Sequence, residues 1–127
     1  MAEHGTFYWN ELMTADPEAA AAFFGKLVGW EVDKMTMPEG EYRVMKLGGK
    51  PAGGIMGRPP GVPDHVPPHW LSYLAVSDVD AACATTMAEG GKTIRPPFDV
   101  PGVGRIAIIA DPTGAVLGII TPVPRPG

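Results

Sequence analysis

Cysteine is nearly absent from this chain of 127 residues, and Cys83 is its single representative. No intramolecular disulfide can form, so no disulfide framework stabilises the fold. Cys83 stands in an alanine-rich run with helix-like spacing, which indicates a buried thiol rather than a nucleophile. This usage fits a reducing compartment, and we expect the protein to be cytoplasmic.

Basic residues and long apolar runs are also lacking. Ten Lys and Arg residues stand against 14 Asp and Glu residues, so the net charge is −4. Such a chain has no basic surface with which to neutralise the phosphates of nucleic acid. No apolar run approaches the roughly 20 residues that a helix needs to cross a bilayer, and the start of the chain does not resemble a signal peptide. We therefore expect neither nucleic acid nor a membrane as a partner.

What the sequence does contain is an internal repeat. The segment from Trp9 to Val32 can be laid over the segment from Leu71 to Ile94 with a constant offset. In each copy a strand-like run leads to an aspartate, an alanine-rich stretch follows, and a glycine stands at the same distance after the aspartate. Asp16 and Asp78 are typical N-caps, because their short carboxylates can accept from the free amides of a first turn. The repeat thus predicts two capped helices.

The spacing of apolar residues predicts which side of the first helix is buried, namely the side that carries Ala20, Phe23, Phe24 and Leu27. Pro17 suits the first position of this helix. Glycine and proline, with 17 and 15 residues, separate short strand candidates after each helix. These candidates are 30–36, 41–47 and 51–56, then 92–94, 104–110 and 116–121.

Each half therefore has the predicted order β-α-β-β-β. A sheet with one helix against it leaves its other face uncovered, so two such modules should pair. We expect a single α+β domain with module one at 5–56, a proline-rich linker at 57–68 and module two at 69–122. The curved mixed sheets of the two modules are predicted to surround a shared cleft.

Two segments carry a resemblance to a known family. Residues 16–30, Asp-Pro-Glu-Ala-Ala-Ala-Ala-Phe-Phe-Gly-Lys-Leu-Val-Gly-Trp, resemble the first helix of the vicinal oxygen chelate superfamily, which includes glyoxalase I, bleomycin-resistance proteins and extradiol dioxygenases. Residues 110–119, Ala-Asp-Pro-Thr-Gly-Ala-Val-Leu-Gly-Ile, resemble its terminal hairpin and last strand. The opening strand, residues 7–14, is similar to a glyoxalase-like subgroup of undefined activity. The resemblance covers residues 5–122 and implies the paired βαβββ fold of that family.

The resemblance also implies where a metal would be bound. Members that use a metal place one ligand on the first strand and one on the last strand of each module. The family's spacing from Asp16 and from the terminal turn, together with the repeat, puts these positions at Trp9, Met56, Leu71 and Gly118. None of these residues offers a hard donor to a divalent cation. We therefore expect a family member that has lost its metal ligands and needs no cofactor.

A displaced metal site is the alternative. Glu11 and His69 each lie two positions from a predicted ligand position, and therefore on the same side of a strand. With His65 from the linker they could hold a divalent metal, although histidines beside prolines in a loop usually face solvent. A metal is expected only under this alternative.

Without a metal, the cleft is predicted to be a small-molecule site with apolar and aromatic walls. The predicted ligand-binding residues are Phe7, Trp9, Glu11, Met13, Met56, Leu71, Tyr73 and Gly118. The same side chains could instead fill the space as a core. Glu11 and Tyr73 are the candidate catalytic residues, because burial would raise the pKa of a carboxyl group and a phenol can donate a hydrogen bond. Alternatively, Glu11 pairs with Arg43 or Arg105, and Tyr73 is a core residue.

Two functions remain open at this point. The first is a protein that binds a small aromatic or cationic molecule and performs no chemistry. The second is a lyase, isomerase or dioxygenase that uses either a displaced metal held by Glu11 and His69 or Glu11 alone. No nucleophile with a neighbouring base and no phosphate-binding glycine motif supports catalysis, so whether the protein is an enzyme stays open. Trp70 beside the proline-rich segment is compatible with a homodimer.

Overall fold

A computed structural model describes residues 3–37, 40–58 and 66–123, and in these residues it contains two helices and eight strands. The elements are β1 (Phe7–Met13), α1 (Pro17–Val28), β2 (Glu31–Met37), β3 (Gly40–Leu47), β4 (Lys50–Met56), β5 (His69–Ala75), α2 (Val79–Ala88), β6 (Lys92–Val100), β7 (Gly104–Ala110) and β8 (Val116–Pro122). The predicted order β-α-β-β-β is confirmed in both halves, as is the α+β class. Within the described residues, no helix has the length and apolar character needed to cross a membrane.

The chain divides into two compact units. Of the described residues, the first unit holds 10–37, 40–58 and 66–71, and the second unit holds 3–9 and 72–123. The start of the chain belongs to the second unit, where the Gly5 amide donates to the Ala75 carbonyl at 2.7 Å and the Ala75 amide donates to the Thr6 carbonyl at 2.8 Å. The predicted module boundaries stay a prediction, and residues 59–65 of the predicted linker lie outside the described residues.

The first unit is a mixed sheet with one helix against it. Strands β2, β3 and β4 and the part of β1 from Asn10 on lie in the order β2-β3-β4-β1, with β1 parallel to β4 and the other neighbours antiparallel. Leu12, Ala21, Met45 and Ile55 form its core, and Phe24 is among the partly buried residues that pack against them. This core lies between α1 and one face of the sheet.

The second unit repeats this arrangement. The part of β5 from Ser72 on and strands β8, β7 and β6 lie in the order β5-β8-β7-β6, with β5 parallel to β8 and the other neighbours antiparallel. Val76, Val79, Cys83, Ala107 and Ile119 form the core beneath α2. The predicted burial of the Cys83 thiol is confirmed.

Both helices begin where the sequence predicts. The Asp16 carboxylate accepts a hydrogen bond from the Ala19 amide at 3.0 Å, and the Asp78 carboxylate accepts one from the Ala81 amide at 3.1 Å. Pro17 occupies the first turn of α1, where no partner for an amide is needed. The short aspartate side chains thus satisfy amides that the helix itself leaves free.

The glycine that the repeat places after each helix has a different role in each half. Gly29 adopts the left-handed conformation, with φ 78°, and its amide donates to the Gly25 carbonyl, which ends α1. Gly91 instead lies so close to Thr86 and to the Ala110 carbonyl that a Cβ atom would overlap them. The first glycine supplies a backbone conformation and the second permits a close approach.

The predicted buried side of α1 is correct for Ala20 and Phe24 and wrong for two larger residues. Phe23 and Leu27 are 58% and 60% exposed, whereas Ala21 is buried. Ala20 and Ala21 face the sheet, and their small side chains let the helix approach it closely. With this side of the helix against the sheet, Phe23 and Leu27 face solvent. Apolar spacing alone cannot distinguish these two sides, because apolar residues surround most of the helix.

Strand β6 is longer than predicted. The sequence prediction ended at Ile94, but the strand continues through two prolines to Val100. Proline is tolerated because β6 is the last strand in the order of its unit, so an amide is not needed on its outer side. The pairing with β7 shifts between Thr93 and Arg95 and again between Arg95 and Phe98. Each of these irregularities adds to β6 a residue that has no counterpart in β7.

Candidate functional site

Each sheet has one face that its own helix does not cover, here called the helix-free face. In the first unit, Glu11 pairs with Gly54 and Met13 pairs with Met56. Paired residues of neighbouring strands share a face, and Leu12 between them belongs to the core under α1. The helix-free face of the first unit therefore carries Glu11, Met13 and Met56, three of the residues that the sequence predicts for the site.

Glu11 is a buried carboxylate, with 6% of its surface exposed. The other buried charged residue of the first unit, as far as it is described, is Arg43, which pairs with Ile55 and so faces the helix side of the sheet. Arg43 lies 3.4 Å from the Glu41 carboxylate. Arg105 in the second unit binds Asp80 at 2.7 Å and also lies 3.2 Å from the Asp99 carboxylate. Within the first unit, Arg43 therefore lies on the opposite face of the sheet from Glu11.

Tyr42 also belongs to this face, although it is not among the site residues predicted from the sequence. A Cβ atom on Gly54 would overlap the hydroxyl group of Tyr42, so the end of that side chain lies directly over Gly54. Gly54 is the partner of Glu11 in the neighbouring strand, and neighbouring strands are about 4.8 Å apart. The Tyr42 hydroxyl and the Glu11 carboxylate are therefore on the same face and in the same part of it. The two glycines in β4 were the available signal, since glycine within a strand often marks a close approach.

The second unit contains a matching arrangement. Tyr73 pairs with Gly118 across β5 and β8, and a Cβ atom on Gly118 would overlap the ring of Tyr73. Tyr73 is 6% exposed, and its neighbours Leu71 and Ala75 are also buried. Tyr73 and Gly118, which the sequence assigned to the site independently, are thus in direct contact.

The strand pairings correct one equivalence. Glu11 and Tyr73 are related by the offset of the repeat, and the same offset would match Gly118 with Met56. In the structure, however, the partner of Glu11 is Gly54, whereas the partner of Tyr73 is Gly118. The counterpart of Gly118 is therefore Gly54, and the prediction that it is Met56 is wrong. The two irregularities of β6 contribute to this difference, because they lengthen the second half before its last two strands.

The four residues that the resemblance predicts at the family's metal positions have side chains that do not suit a divalent cation. Trp9, Leu71 and Gly118 offer no hard donor, and neither Gly54 nor Met56 supplies one. The Tyr73 ring also closes the space beside Gly118 into which a ligand side chain would project. In residues 3–37, 40–58 and 66–123, no three His, Cys, Asp or Glu side chains are grouped so that they could hold a metal.

His69, a candidate of the alternative site, is half-buried and engaged locally. Its Nδ1 lies 3.0 Å from the Pro67 carbonyl, to which it donates, so Nε2 is the nitrogen that could bind a metal. His65 lies outside the described residues. Of the remaining predicted site residues, Phe7 is 70% exposed and Trp9 is half-buried.

A cavity of about 330 Å³ lies at another place in the first unit, at the start of α1. Its lining contains three carboxylates and two guanidinium groups, and Met56 is the only predicted ligand-binding residue in it. The lining residues are Asp16, Pro17, Glu18, Gly40, Glu41, Arg43, Met56, Gly57 and Arg58. This charged cavity differs in character from the face that carries Glu11 and Tyr42, and neither of these two residues lines it.

Two curated relatives are similar to most of the chain. The Mycobacterium tuberculosis (strain CDC 1551 / Oshkosh) protein named "Putative glyoxylase CFP32" is 44% identical over 125 residues, which are 97% of this chain and 46% of the relative. "Anthracycline biosynthesis protein DnrV" of Streptomyces peucetius is 33% identical over 123 residues, with 87% of this chain and 45% of the relative covered. The chain thus spans about half the length of the curated relatives it matches.

Solved structures and a family model agree with these relatives. Methylmalonyl-CoA epimerase from Mycobacterium tuberculosis has a TM-score of 0.65 and 17% identity, with 98% of this chain and 93% of that chain covered. Hypothetical protein BH1468 from Bacillus halodurans C-125 has a TM-score of 0.71 and 8% identity, with 98% and 99% covered. At these identities the structures establish the fold alone. The family model matches residues 6–119, and the chain therefore belongs to the glyoxalase/bleomycin resistance protein/dioxygenase superfamily.

Proposed function

We propose that this chain binds a small aromatic or cationic molecule on the helix-free face of its first unit, without a metal, and that Glu11 carries the recognition. The observation that supports this most is the burial of the Glu11 carboxylate beside the position of the Tyr42 hydroxyl. The protein is proposed to do so in the cytoplasm, where its one thiol would stay reduced.

A carboxylate in a poorly hydrated place attracts a cation strongly, because little water competes with the interaction. A protonated amine on a ligand would benefit from this, since a hydrogen bond to a charged group contributes about 1.5–3 kcal/mol. The Tyr42 hydroxyl can donate or accept at the same place, and its ring can contact a planar ligand. A site of this composition selects a molecule that combines an aromatic body with a cationic group.

The name of DnrV supports the same ligand class, since it assigns that protein to anthracycline biosynthesis. Anthracyclines are planar fused-ring molecules, and those with an amino sugar are cationic at neutral pH. The chain matches only 45% of DnrV, so this likeness guides the choice of probe and not the identity of the natural ligand.

The test is calorimetric titration with two probes, an anthracycline that carries an amino sugar and its neutral aglycone. The amine form is expected to bind more tightly. Glu11→Gln should weaken binding of the amine form roughly 10- to 100-fold while aglycone binding stays within about 2-fold. Glu31→Gln, at an exposed position of β2, is the matched control and should change neither affinity.

Circular dichroism of each variant separates a lost ligand contact from a lost fold. The proposal fails if neither probe binds, or if Glu11→Gln weakens both probes equally. Equal loss would mean that Glu11 acts on the structure rather than on the charge of the ligand.

Metal analysis of the purified protein, with thermal-shift titrations of Mn²⁺, Ni²⁺ and Zn²⁺, tests the metal-free part of the proposal. We expect no stoichiometric metal and no saturable stabilisation by these ions. A metal at one equivalent that both Glu11→Gln and His69→Ala abolish would replace the proposal with the metal-dependent lyase, isomerase or dioxygenase alternative.

A further inference from the structure

Helix α1 presents apolar side chains to solvent. Its outer face consists of exposed residues, namely Glu18, Ala19, Ala22, Phe23, Lys26 and Leu27. Phe23 and Leu27 expose more than half of their surface. The ring of Phe23 also contacts Phe24, which in turn contacts the half-exposed Trp70, with ring centres 5.0 and 5.5 Å apart. This surface is apolar and continuous with the aromatic residues beneath it.

Helix α2 supplies an internal comparison. It covers the second unit as α1 covers the first, and the repeat matches the N-cap Asp16 with the N-cap Asp78. At the same offset Phe23 corresponds to Thr85 and Leu27 corresponds to Glu89, and both of these are polar and exposed. The fold therefore does not require apolar residues at these two positions of such a helix. Among large apolar side chains, α1 exposes Phe23, Leu27 and Val28, whereas α2 exposes Met87. The outer face of α1 is therefore the more apolar of the two.

The charges on this face fit a second copy of the same helix. Glu18 lies in the first turn and Lys26 in the last turn, and eight residues of helix span about 12 Å. If two α1 helices lie antiparallel across a two-fold axis, Glu18 of one copy is next to Lys26 of the other, and this happens twice. In α2, Asp80 stands at the position of Glu18 and Ala88 at the position of Lys26. Two antiparallel α2 helices would therefore have no such pair of opposite charges.

The size of the side chains fits the same arrangement. Ala22 would stand near the axis, midway between Glu18 and Lys26, and Ala19 is beside it. Small residues there allow helix axes to approach to about 8 Å. Phe23 of each copy can then pack into the space above the alanines of the other. A two-fold interface needs a self-complementary surface of this kind.

We propose that two copies of this chain associate through the outer face of α1, with the two helices antiparallel across a two-fold axis. The apolar residues Phe23 and Leu27 supply the energy of association, and the Glu18–Lys26 pairs fix the direction of the helices. The matched part is less than half of each curated relative. Each of these polypeptides is therefore long enough to contain a second segment of this length. That ratio agrees with an assembly of two such domains.

The test is sedimentation equilibrium of the whole chain between about 1 and 100 µM, a range in which transient interfaces dissociate. The wild-type chain should be a dimer at the upper end. Phe23→Thr combined with Leu27→Glu gives α1 the outer residues of α2 at exposed positions and should raise the dimer Kd at least about 30-fold. Val116→Thr changes an exposed apolar residue of the second unit and should leave the Kd unchanged.

Charge reversal tests the direction of the helices. Glu18→Lys alone and Lys26→Glu alone should each raise the Kd about 2- to 10-fold, and the two changes together should return it to within about 2-fold of wild type. A wild-type chain that stays monomeric at about 100 µM overturns the proposal, as does a dimer that persists after the Phe23 and Leu27 changes. Additive rather than compensating charge effects overturn the antiparallel arrangement.

Discussion

A methyl group added at Gly118 tests directly whether Tyr73 closes the last-strand metal position that the family resemblance predicts there. The backbone of Gly118 does not adopt a left-handed conformation, so alanine is compatible with it. In an open strand position, alanine would be more stable than glycine by roughly 0.5–1 kcal/mol. Here, however, the new Cβ atom would overlap the Tyr73 ring, which is almost fully buried and has little room to move.

Whether Gly118→Ala raises or lowers the stability of the protein therefore depends on its contact with the Tyr73 ring. Extra atoms in a well-packed interior cost about 1–3 kcal/mol, and the gain from replacing glycine offsets part of this cost. We expect Gly118→Ala to reduce stability by about 1–2 kcal/mol, which for a domain of this size lowers the Tm by roughly 4–8 °C. Thermal and urea unfolding followed by circular dichroism measure both quantities.

Gly57→Ala is the control for this change. Gly57 also lacks a left-handed backbone, and its Cβ atom would come no closer than 4.0 Å to the Pro17 ring. Its substitution should be neutral or stabilising by up to about 1 kcal/mol. In a Tyr73→Ala background, Gly118→Ala should lose its cost. If Gly118→Ala is as stable as wild type, or if its cost survives the removal of the ring, Tyr73 does not close the position and a ligand side chain could be restored there.

Three further predictions concern the scaffold. Asp16→Ala and Asp78→Ala each remove a helix cap and should each lower the free energy of unfolding in urea by about 1 kcal/mol; two changes within about 0.2 kcal/mol of zero, on the order of the measurement error, would contradict the capping role. The hydrogen bond from Arg105 lowers the pKa of Asp80 below its ordinary value of 3.8, so this pair stabilises the fold above pH 3.8 and the stabilisation is lost as the pH falls through the lowered pKa. The Tm difference between wild type and Asp80→Asn should therefore disappear between about pH 5 and pH 2, values that bracket the unperturbed carboxyl, and a constant difference would refute this. The buried Cys83 thiol should react with a thiol reagent slowly in the native protein and fully in urea, whereas immediate reaction would mean that it is accessible.

The features that were predicted correctly from sequence depend on local chemistry. Asp16 and Asp78 cap the first turns of their own helices, and this interaction needs only residues three positions away. Phe23 and Leu27 were placed wrongly because the buried side of α1 is chosen by the sheet against which the helix packs. Apolar spacing narrows that choice without deciding it, since alanine serves equally well on either side.

Tyr42 and Gly54 illustrate why the site itself was harder to predict than the fold. Glu11 and Tyr73, which the offset of the repeat relates to each other, each pair with a glycine of a last strand. The last-strand positions depend on the two irregularities of β6, which leave no mark in a pattern of apolar residues. Gly54 and Gly118 therefore indicate the matching last-strand positions better than the constant offset of the repeat does.

A residue without a side chain in the middle of a strand implies that another group occupies the space that a side chain would fill. At both Gly54 and Gly118 that group is a tyrosine, Tyr42 in the first unit and Tyr73 in the second. The two tyrosines come from different strands, β3 and β5, so the repeat itself did not place them. In both halves an aromatic side chain thus fills the space beside a glycine of the last strand, and at Gly118 this is the space where the family resemblance predicts a metal ligand.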